Sequence, residues 1–343
     1  MKNSDDWNIQ IKLLPAYSGD CILFQYKDFN HKIRNILIDG GEPQNYSIAL
    51  YDEIIKIYKT GQIDLLVITH IDNDHVGGIL EFIQDNTIEK KVNQYWFNAS
   101  KQFSYDLNLD NSNNLSFKQG IKLENYLSQS NNWHKKSISN NFSQHRLPDI
   151  AIEILSPDIH RLQRLNKPWK HELKKIGLLA NDEHSDYSYS IEELIKNKSK
   201  YDRSTTNGSS ISFYLDIYNK RFLFLADTHI TLIQKNLTNL GYNEKNKLKV
   251  ECIKLSHHGS KYNLDDNFLK LIDCNKYIIC SDGTHGLPHK ETLARIAIQK
   301  NITFIFNNKI PKFEQIFTST EKSRYNIKSE FVDSEYLHKE LVW

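Results

Sequence analysis

Apolar residues occur along this chain in short blocks whose spacing alternates between that of strands and that of helices. Three early runs rich in Ile, Leu and Phe, with Gly or Asp at their ends, predict strands over residues 8–14, 21–26 and 34–38. Residues 46–59 carry apolar side chains at helical spacing, and Gly61 follows where glycine commonly stops a helix. Residues 63–69 then predict a buried strand, so the chain opens with a small sheet, a helix and a further strand.

A second block of the same kind begins at Ser210. Its apolar runs predict a hairpin of strands over residues 211–218 and 221–227, a helix over 230–240, and strands over 250–256 and 276–282. We place the hairpin turn at Asn219 and Lys220. Two half-sheets with helices between them predict an α/β fold, a four-layered α/β/β/α sandwich.

The segment between these halves, residues 98–206, is poor in long apolar runs and rich in Asn, Ser and Lys. Only residues 151–155 form a clear strand pattern, so we interpret the segment as an insertion within one domain that covers residues 1–305. Such a segment is either a lid or substrate platform, or a solvated excursion without function. Residues 306–343 are predicted to be a C-terminal extension that packs on the domain or docks a protein partner.

Charge and cysteine content narrow the class of protein. The 343 residues include 44 basic and 42 acidic side chains, a formal charge of +2, so any nucleic-acid binding must come from a local patch. The four cysteines lack CxxC spacing and are expected to be buried thiols. The N-terminus is acidic where a signal peptide is basic, and no apolar stretch reaches ~18 residues, so we expect a cytoplasmic protein without a membrane segment.

The sequence THIDNDHVGG lies where the strand over 63–69 gives way to a helical pattern. It places His70, Asp72, Asp74 and His75 within six residues, followed by Gly77 and Gly78, which allow close packing of the backbone. Carboxylates crowded in a crevice repel one another, and a divalent cation reverses that cost. A solvated turn with a capping aspartate is the structural alternative.

Two further groups follow predicted strands of the second block. Asp227 ends the run RFLFLAD, and His257 with His258 ends the run VECIKLS. Either group alone is more often a cap or turn residue, but strand ends in one sheet converge on one edge. We therefore expect Asp227 to bridge two cations and one of the two histidines to complete the second metal site.

These ordered motifs resemble the metallo-β-lactamase superfamily. The resemblance rests on HxDxDHxGG from His70, LFLAD ending at Asp227, KLSHHGSK from Lys254 and THGLPHKETL from Thr284. Within the superfamily the chain resembles the soluble domain of ComEC/Rec2 DNA-uptake proteins, through SGD at 18–20, LIDGG at 37–41 and NGSSISFYL at 207–215. The resemblance covers roughly residues 10 to 300, and no segment of this sequence resembles the membrane channel of ComEC.

The resemblance implies a hydrolase with two divalent cations and a bridging hydroxide as nucleophile. It assigns His70 and Asp72 to one metal and Asp74 and His75, with His257 or His258, to the other. Asp227 would bridge them, Asp39 would orient a ligand histidine or serve only as a turn carboxylate, and Asp20 belongs to the surrounding shell. Many members have histidine where this chain has Asp72 and Asn207, and the resulting oxygen-rich site makes Zn²⁺ and Mn²⁺ comparable expectations.

Four residues are candidates for contact with substrate. Ser260 and Lys261 follow the histidine pair, and His285 and His289 lie in THGLPHKE. A phosphodiester needs positive charge near its non-bridging oxygens and an acid for the departing alkoxide. With Asp74, we count Lys261 for the charge and His285 for the acid as catalytic candidates. A plain loop histidine is the alternative for His285, because the GHP tripeptide of the ComEC pattern is Gly286-Leu287-Pro288 here.

Three functions fit these residues. The leading hypothesis is a phosphodiesterase or nuclease that acts on DNA, RNA or a nucleotide. The second keeps the metals but hydrolyses a carboxylic ester, lactone or thioester. In the third, the insertion and C-terminal extension bind a partner, so that the chain is a subunit of a bacterial defence or DNA-processing complex.

Overall fold

The computed structural model describes residues 8–99, 115–141, 145–166, 185–332 and 339–343. The chain divides into two compact units. The first unit comprises residues 1–137, 146–149 and 332–343, and the second comprises residues 138–145 and 150–331. Each unit combines helices with β-strands, as the sequence predicts for an α/β fold.

The first unit is built on a sheet that begins antiparallel and continues parallel. Strands β1, β2 and β3 pair antiparallel, and β4 and β5 then extend the sheet with parallel pairing. The helix α3 packs against α2. The elements in chain order are β1 (Ile9–Leu13), β2 (Ile22–Lys27), β3 (Ile33–Ile38), α1 (Tyr51–Thr60), β4 (Leu65–Val67), α2 (Asn73–Gln84), β5 (Tyr95–Trp96) and α3 (Leu115–Ser128).

Apart from residues 138–145, the second unit begins in the chain after a short strand, β6 (His145–Leu147). Its elements are β7 (Ile150–Ser156), α4 (Ile159–Asn166), α5 (Ile191–Leu194), α6 (Thr205–Gly208), β8 (Ser212–Ile217), β9 (Lys220–Phe224), α7 (Ile230–Asn239), β10 (Leu248–Lys249), β11 (Cys252–Lys254), α8 (Asp266–Leu271), β12 (Ile272–Asp273), β13 (Lys276–Ile279), α9 (Lys290–Ala297), β14 (Thr303–Phe306), α10 (Pro311–Glu314), α11 (Ser319–Tyr325) and β15 (Lys328–Glu330). The eight-stranded sheet of this part of the chain runs β15-β14-β13-β11-β9-β8-β7-β6. Neighbouring strands from β15 to β9 pair in parallel. In contrast, β9 pairs antiparallel with β8, and β8 pairs antiparallel with β7.

The residues of the predicted C-terminal extension contribute strands to both units. β15 pairs with β14 in the second unit, and the last strand, β16 (Lys339–Val342), pairs antiparallel with β1 in the first. Docking of a protein partner by this extension stays a prediction.

Most predicted strands are present, and their ends differ from the prediction by a few residues. The helix predicted over 46–59 begins as a π-helical turn, Tyr46–Leu50, before α1. Helix α1 ends directly before Gly61, as predicted, and the φ of Gly61 is −177°, extended backbone that any residue can adopt. The hairpin turn lies at Tyr218 and Asn219, one residue earlier than predicted, where φ values of 53° and 60° suit the twist of a tight hairpin.

The segment predicted as a loop-rich insertion holds more regular structure than its composition suggests. Helix α3 spans four turns within it, and Leu123 and Leu127 are completely buried. In the sequence, the Asn, Ser and Lys residues around these leucines make the apolar spacing of the helix hard to recognise, and Gly120 interrupts it. A side chain at Gly120 would come within 3.0 Å of the Ile71 side chain, so glycine permits the close packing of α3.

Two expectations from composition can be compared with the structure. The four cysteines are buried free thiols, as expected. Among the described residues, no helix is both long and apolar enough to cross a membrane.

Candidate functional site

Two adjacent parallel strands of the first unit end beside each other and bring Asp39 to Thr69. Asp39 follows β3, and its N–H donates to the carbonyl of Val67 at the end of β4 (2.9 Å). The buried Asp39 carboxylate accepts hydrogen bonds from the Thr69 N–H (2.8 Å) and hydroxyl (2.7 Å). Thr69, which precedes His70, is therefore held by hydrogen bonds to the turn that contains LIDGG.

His75 lies in the first turn of α2 and is held by the same carboxylate. Its Nδ1 is 2.8 Å from Asp39 Oδ2 and 3.9 Å from Asp20 Oδ2, and both carboxylates are buried. Because the Asp39 carboxylate can only accept, His75 donates from Nδ1 and keeps a lone pair on Nε2. That Nε2 lies 3.8 Å from Asp74 Oδ2.

His70 completes what we call the first cluster, namely His70, Asp72, Asp74 and His75. The centres of the two buried imidazole rings are 4.2 Å apart, and His70 Nε2 lies 3.5 Å from Asp72 Oδ2. The side chains of Asp72 and Asp74 are 28% and 26% exposed. The cluster thus combines buried nitrogen donors with partly exposed oxygen donors.

Glycine permits the close backbone approach on which the first cluster depends. A side chain at Gly78 would lie 2.1 Å from the carbonyl oxygen of Gly40, and one at Gly19 would lie 1.5 Å from the carbonyl oxygen of Asp74. Such distances cannot accommodate a Cβ atom. The glycines of LIDGG, SGD and HVGG therefore allow these segments to meet, which the sequence pattern indicated only for Gly77 and Gly78.

Two adjacent parallel strands supply the second cluster, which we define as Asp227, His257 and His258. Asp227 follows β9, and the two histidines follow β11. Ala226, His257 and His258 have φ values of 44°, 47° and 54°, a left-handed conformation that costs a residue with a side chain about 1–2 kcal/mol. Strain of this kind is concentrated at functional sites.

His258 has its tautomer fixed by the next strand, β13. Its Nδ1 donates to the carbonyl of Cys280 (2.8 Å), so Nε2 carries the lone pair and lies 3.6 Å from Asp227 Oδ2. His257 Nε2 lies 3.8 Å from the same oxygen. The buried Lys254 ammonium is 4.0 Å from Asp227 Oδ1 and donates to the carbonyl of Ala226 (3.3 Å). Both histidines that the sequence left as alternatives therefore face Asp227.

Asp202 and Asn263 are two polar partners of His257 that sequence reasoning missed. His257 Nδ1 lies 3.2 Å from Asn263 Oδ1 and 3.5 Å from Asp202 Oδ2, and the Asn207 amide donates to Asp202 (2.8 Å). Burial favours the neutral acid, but hydrogen bonds led by that from His257 outweigh it and lower the pKa of Asp202 to about 2. Burial likewise opposes protonation of His257, yet the Asp227 and Asp202 carboxylates raise its pKa. Asp202 stands in a polar stretch without periodicity, and only its position five residues before Asn207 could have indicated it.

The donor atoms of both clusters suit divalent cations. In a tetrahedral site, ligand atoms about 2.1 Å from the ion lie roughly 3.4 Å apart. The three contacts His70–Asp72, His75–Asp74 and His258–Asp227 measure 3.5, 3.8 and 3.6 Å. Asp20, Asp39 and His75 also form a group that could hold a metal ion. Because Asp39 lies at hydrogen-bond distance from His75 Nδ1, we assign it instead to orientation of that ring.

The four candidates for contact with substrate, Ser260, Lys261, His285 and His289, differ in their exposure and in their hydrogen bonds within the protein. Ser260 is buried in a turn, where its hydroxyl accepts the N–H of Tyr262 (3.3 Å). His289 precedes α9 and accepts the N–H of Lys261 on Nδ1 (3.3 Å). His285 is exposed on the 3₁₀ turn Thr284–Gly286. The roles of all four residues stay predictions.

Residues 15–131 match the family model of the Metallo-beta-lactamase superfamily, and this segment includes the first cluster and Asp39. This segment is a metallo-β-lactamase superfamily domain. The match confirms the predicted fold class. Metallo-β-lactamase superfamily members are mostly hydrolases and typically bind divalent metals, usually zinc, in agreement with the expected enzyme class.

Solved structures show only weak likeness, and no curated protein matches the chain. A CmlA β-hydroxylase variant is 11% identical with a TM-score of 0.41, covering 97% of this chain and 54% of its own. A long-form RNase Z from yeast is 15% identical with a TM-score of 0.40, covering 100% and 42%. The metallo-β-lactamase SMB-1 bound to 2-mercaptoethanesulfonate is 9% identical with a TM-score of 0.33, covering 84% and 94%. The chain thus spans about half the length of the first two.

Proposed function

We propose that this protein is a metal-dependent phosphodiesterase that cleaves DNA, RNA or a nucleotide, in the branch resembling ComEC/Rec2. The observation that carries the proposal is the mixed donor set, in which carboxylate oxygens face the Nε2 atoms of His70, His75 and His258. Oxygen-rich sites of this kind suit Mn²⁺ as well as Zn²⁺. We infer that the residues of the first cluster and of the second cluster would hold such ions, in line with the two ions that the sequence predicts.

The protein's own residues position these donors. Asp39 orients His75, and the Cys280 carbonyl orients His258, so each ring has Nε2 available as a ligand. Divalent cations, when bound, neutralise charge on phosphoryl oxygens and acidify water. Lys261 provides positive charge for a non-bridging oxygen, and His285, exposed on its turn, protonates the departing alkoxide.

Hydrolysis of a carboxylic ester, lactone or thioester is the alternative. It is favoured by the nearly balanced charge of +2, which provides no general attraction for a polyanion. The two functions differ in the bond that is cleaved, so they are separated by substrate rather than by metal content.

A substrate panel tests the proposal. The protein is loaded with Mn²⁺ or Zn²⁺ and assayed on labelled DNA, labelled RNA, bis-p-nitrophenyl phosphate, a lactone and a thioester. We expect hydrolysis of the phosphodiesters, lost in Asp74→Ala and kept in the control Asp52→Ala, which removes an exposed aspartate of the same unit. Turnover of only the lactone or thioester would overturn the phosphodiesterase assignment.

A further inference from the structure

A polar cavity of about 290 Å³ lies in the second unit, and most of the residues that line it have no part in the proposed reaction. Its lining consists of Asn197, Lys198, Lys200, Lys261, Tyr262 and Glu291. Among these, only Lys261 has a proposed role in the reaction. Three of the six residues are lysines, so the cavity combines a defined shape with concentrated positive charge.

The loop that carries two of these lysines is fixed at both ends. The Asn197 amide donates to the buried Glu291 carboxylate (2.8 Å), and Arg295 donates to the Asn197 carbonyl. At the other end, the N–H of Asp202 donates to the carbonyl of Tyr262 (3.0 Å). Lys198 and Lys200 are therefore held at the rim of a preformed cavity.

The charge of the cavity is positive because its single carboxylate is already neutralised. Arg295 donates to Glu291 Oε1 (3.2 Å), the oxygen that the Asn197 amide does not contact. Within the part of the chain that the structure describes, Lys198 and Lys200 form no ion pair. An anionic group that enters the cavity therefore meets the Lys198 and Lys200 ammonium groups without displacing an acidic partner from them.

Tyr262 adds an aromatic surface to this charge. Its ring is partly exposed, with the Lys261 ammonium 5.5 Å from the ring centre and the His289 ring edge-on at 6.1 Å. Proteins that bind single-stranded nucleic acid combine lysines along the backbone with aromatic rings on which bases stack. The cavity contains both components.

We propose that this pocket binds one nucleotide of a single-stranded nucleic acid, with a phosphate against Lys198, Lys200 and Lys261 and a base against Tyr262. The inference rests on the proposed function, cleavage of a phosphodiester. Because the net charge of the chain is nearly balanced, binding of a nucleic acid requires a local positive patch, and the pocket supplies one. The pocket adjoins the second cluster along the chain, because Lys261 follows His258 by three residues, and Asp202 contacts both His257 and Tyr262. It therefore holds the strand beside the metal ligands of its own unit.

Binding of a hydrolysis-resistant strand tests the pocket directly. A fluorescein-labelled phosphorothioate oligothymidylate is titrated with the purified full-length protein at several salt concentrations, and anisotropy gives Kd. For Lys198→Gln/Lys200→Gln we expect Kd to rise about tenfold and the salt slope to fall by roughly 1.4, the contribution of two phosphate contacts to a single strand. The control, Lys245→Gln/Lys247→Gln, removes two exposed lysines at the same spacing in the same unit, and we expect it to bind like the parent.

Equal Kd values for the parent and the pocket variant, or equal weakening in the pocket and control variants, would overturn the proposal. Failure of the parent to bind the strand, or binding of a polyglutamate peptide in its place, would also overturn it. Tyr262→Leu should weaken binding of the oligothymidylate more than that of an abasic strand with the same number of phosphates. Because binding is measured without turnover, a parent that binds through the pocket but cleaves no phosphodiester would refute the proposed function and leave the pocket standing.

Discussion

Buried imidazoles in this protein are oriented by the partner of Nδ1. For His75 that partner is Asp39, which the sequence indicated through its place in LIDGG; for His258 it is a backbone carbonyl, which no residue type could indicate. Asp202 was missed for a related reason, since its partner His257 lies 55 residues further along the chain, after a different strand. Candidate ligand residues can therefore be predicted from the sequence, whereas the groups that orient them depend on strand order.

The first prediction concerns His285, which is exposed on its turn and free to approach a substrate. If it protonates the leaving alkoxide, His285→Ala should slow hydrolysis of a diester with an alkyl leaving group by about 10²–10⁴-fold, the usual size of general acid catalysis. A p-nitrophenyl leaving group needs no acid, so its rate should change little. Steady-state kinetics on the two diesters measures the contrast. Equal slowing of both would make His285 a binding residue, and unchanged rates would make it an ordinary loop histidine.

At the scale of elements, α2 presents the first cluster by packing against the turn after β3. Gly78→Ala places a Cβ atom 2.1 Å from the Gly40 carbonyl oxygen, so the two segments must separate. We expect the free energy of unfolding to fall by about 1–3 kcal/mol, although alanine is the better helix former. The control is Gly61→Ala, where nothing lies within 4 Å and the backbone is extended. Denaturant melts of the two variants decide the matter, and a Gly78→Ala variant as stable as the parent would contradict the close packing.

The end of α2 provides a prediction about pH. The Asp85 carboxylate accepts hydrogen bonds from the Thr87 hydroxyl (2.5 Å), the Tyr46 hydroxyl (2.6 Å) and the Thr87 N–H (2.8 Å), which lower its pKa to about 2. The pKa of aspartate in an unfolded chain is about 3.9. The ionised group therefore stabilises the fold above that pH, and this stabilisation is lost as the pH falls towards 2.

Asp85→Asn should therefore be less stable than the parent at pH 7, and the difference should shrink between about pH 4 and pH 2. Urea midpoints measured across this range test it. Asp52→Asn, which alters an exposed aspartate, should show no such convergence. A difference for Asp85→Asn that stays constant down to pH 2 would show that ionisation of this carboxyl does not stabilise the end of α2.

Long apolar strands and the order of the motifs made much of each sheet predictable, because a buried parallel strand is uniformly apolar and its polar end stands out. β4 and β9 are examples, and they lead to His70 and Asp227. Helix α3 was not predictable in the same way, since its buried leucines lie among polar residues. The division into two compact units was also not evident, because it follows contacts between distant segments, such as β1 with β16.

In the molecule as a whole, each unit contributes one imidazole–carboxylate cluster, and we propose that both clusters serve a metal-dependent hydrolase. Calorimetric titration of metal-free protein with Mn²⁺ and with Zn²⁺, checked by elemental analysis, measures whether the clusters bind metal ions and how many. We predict that about two ions bind per chain, in line with a two-metal mechanism. A properly folded protein that binds neither ion would contradict the account.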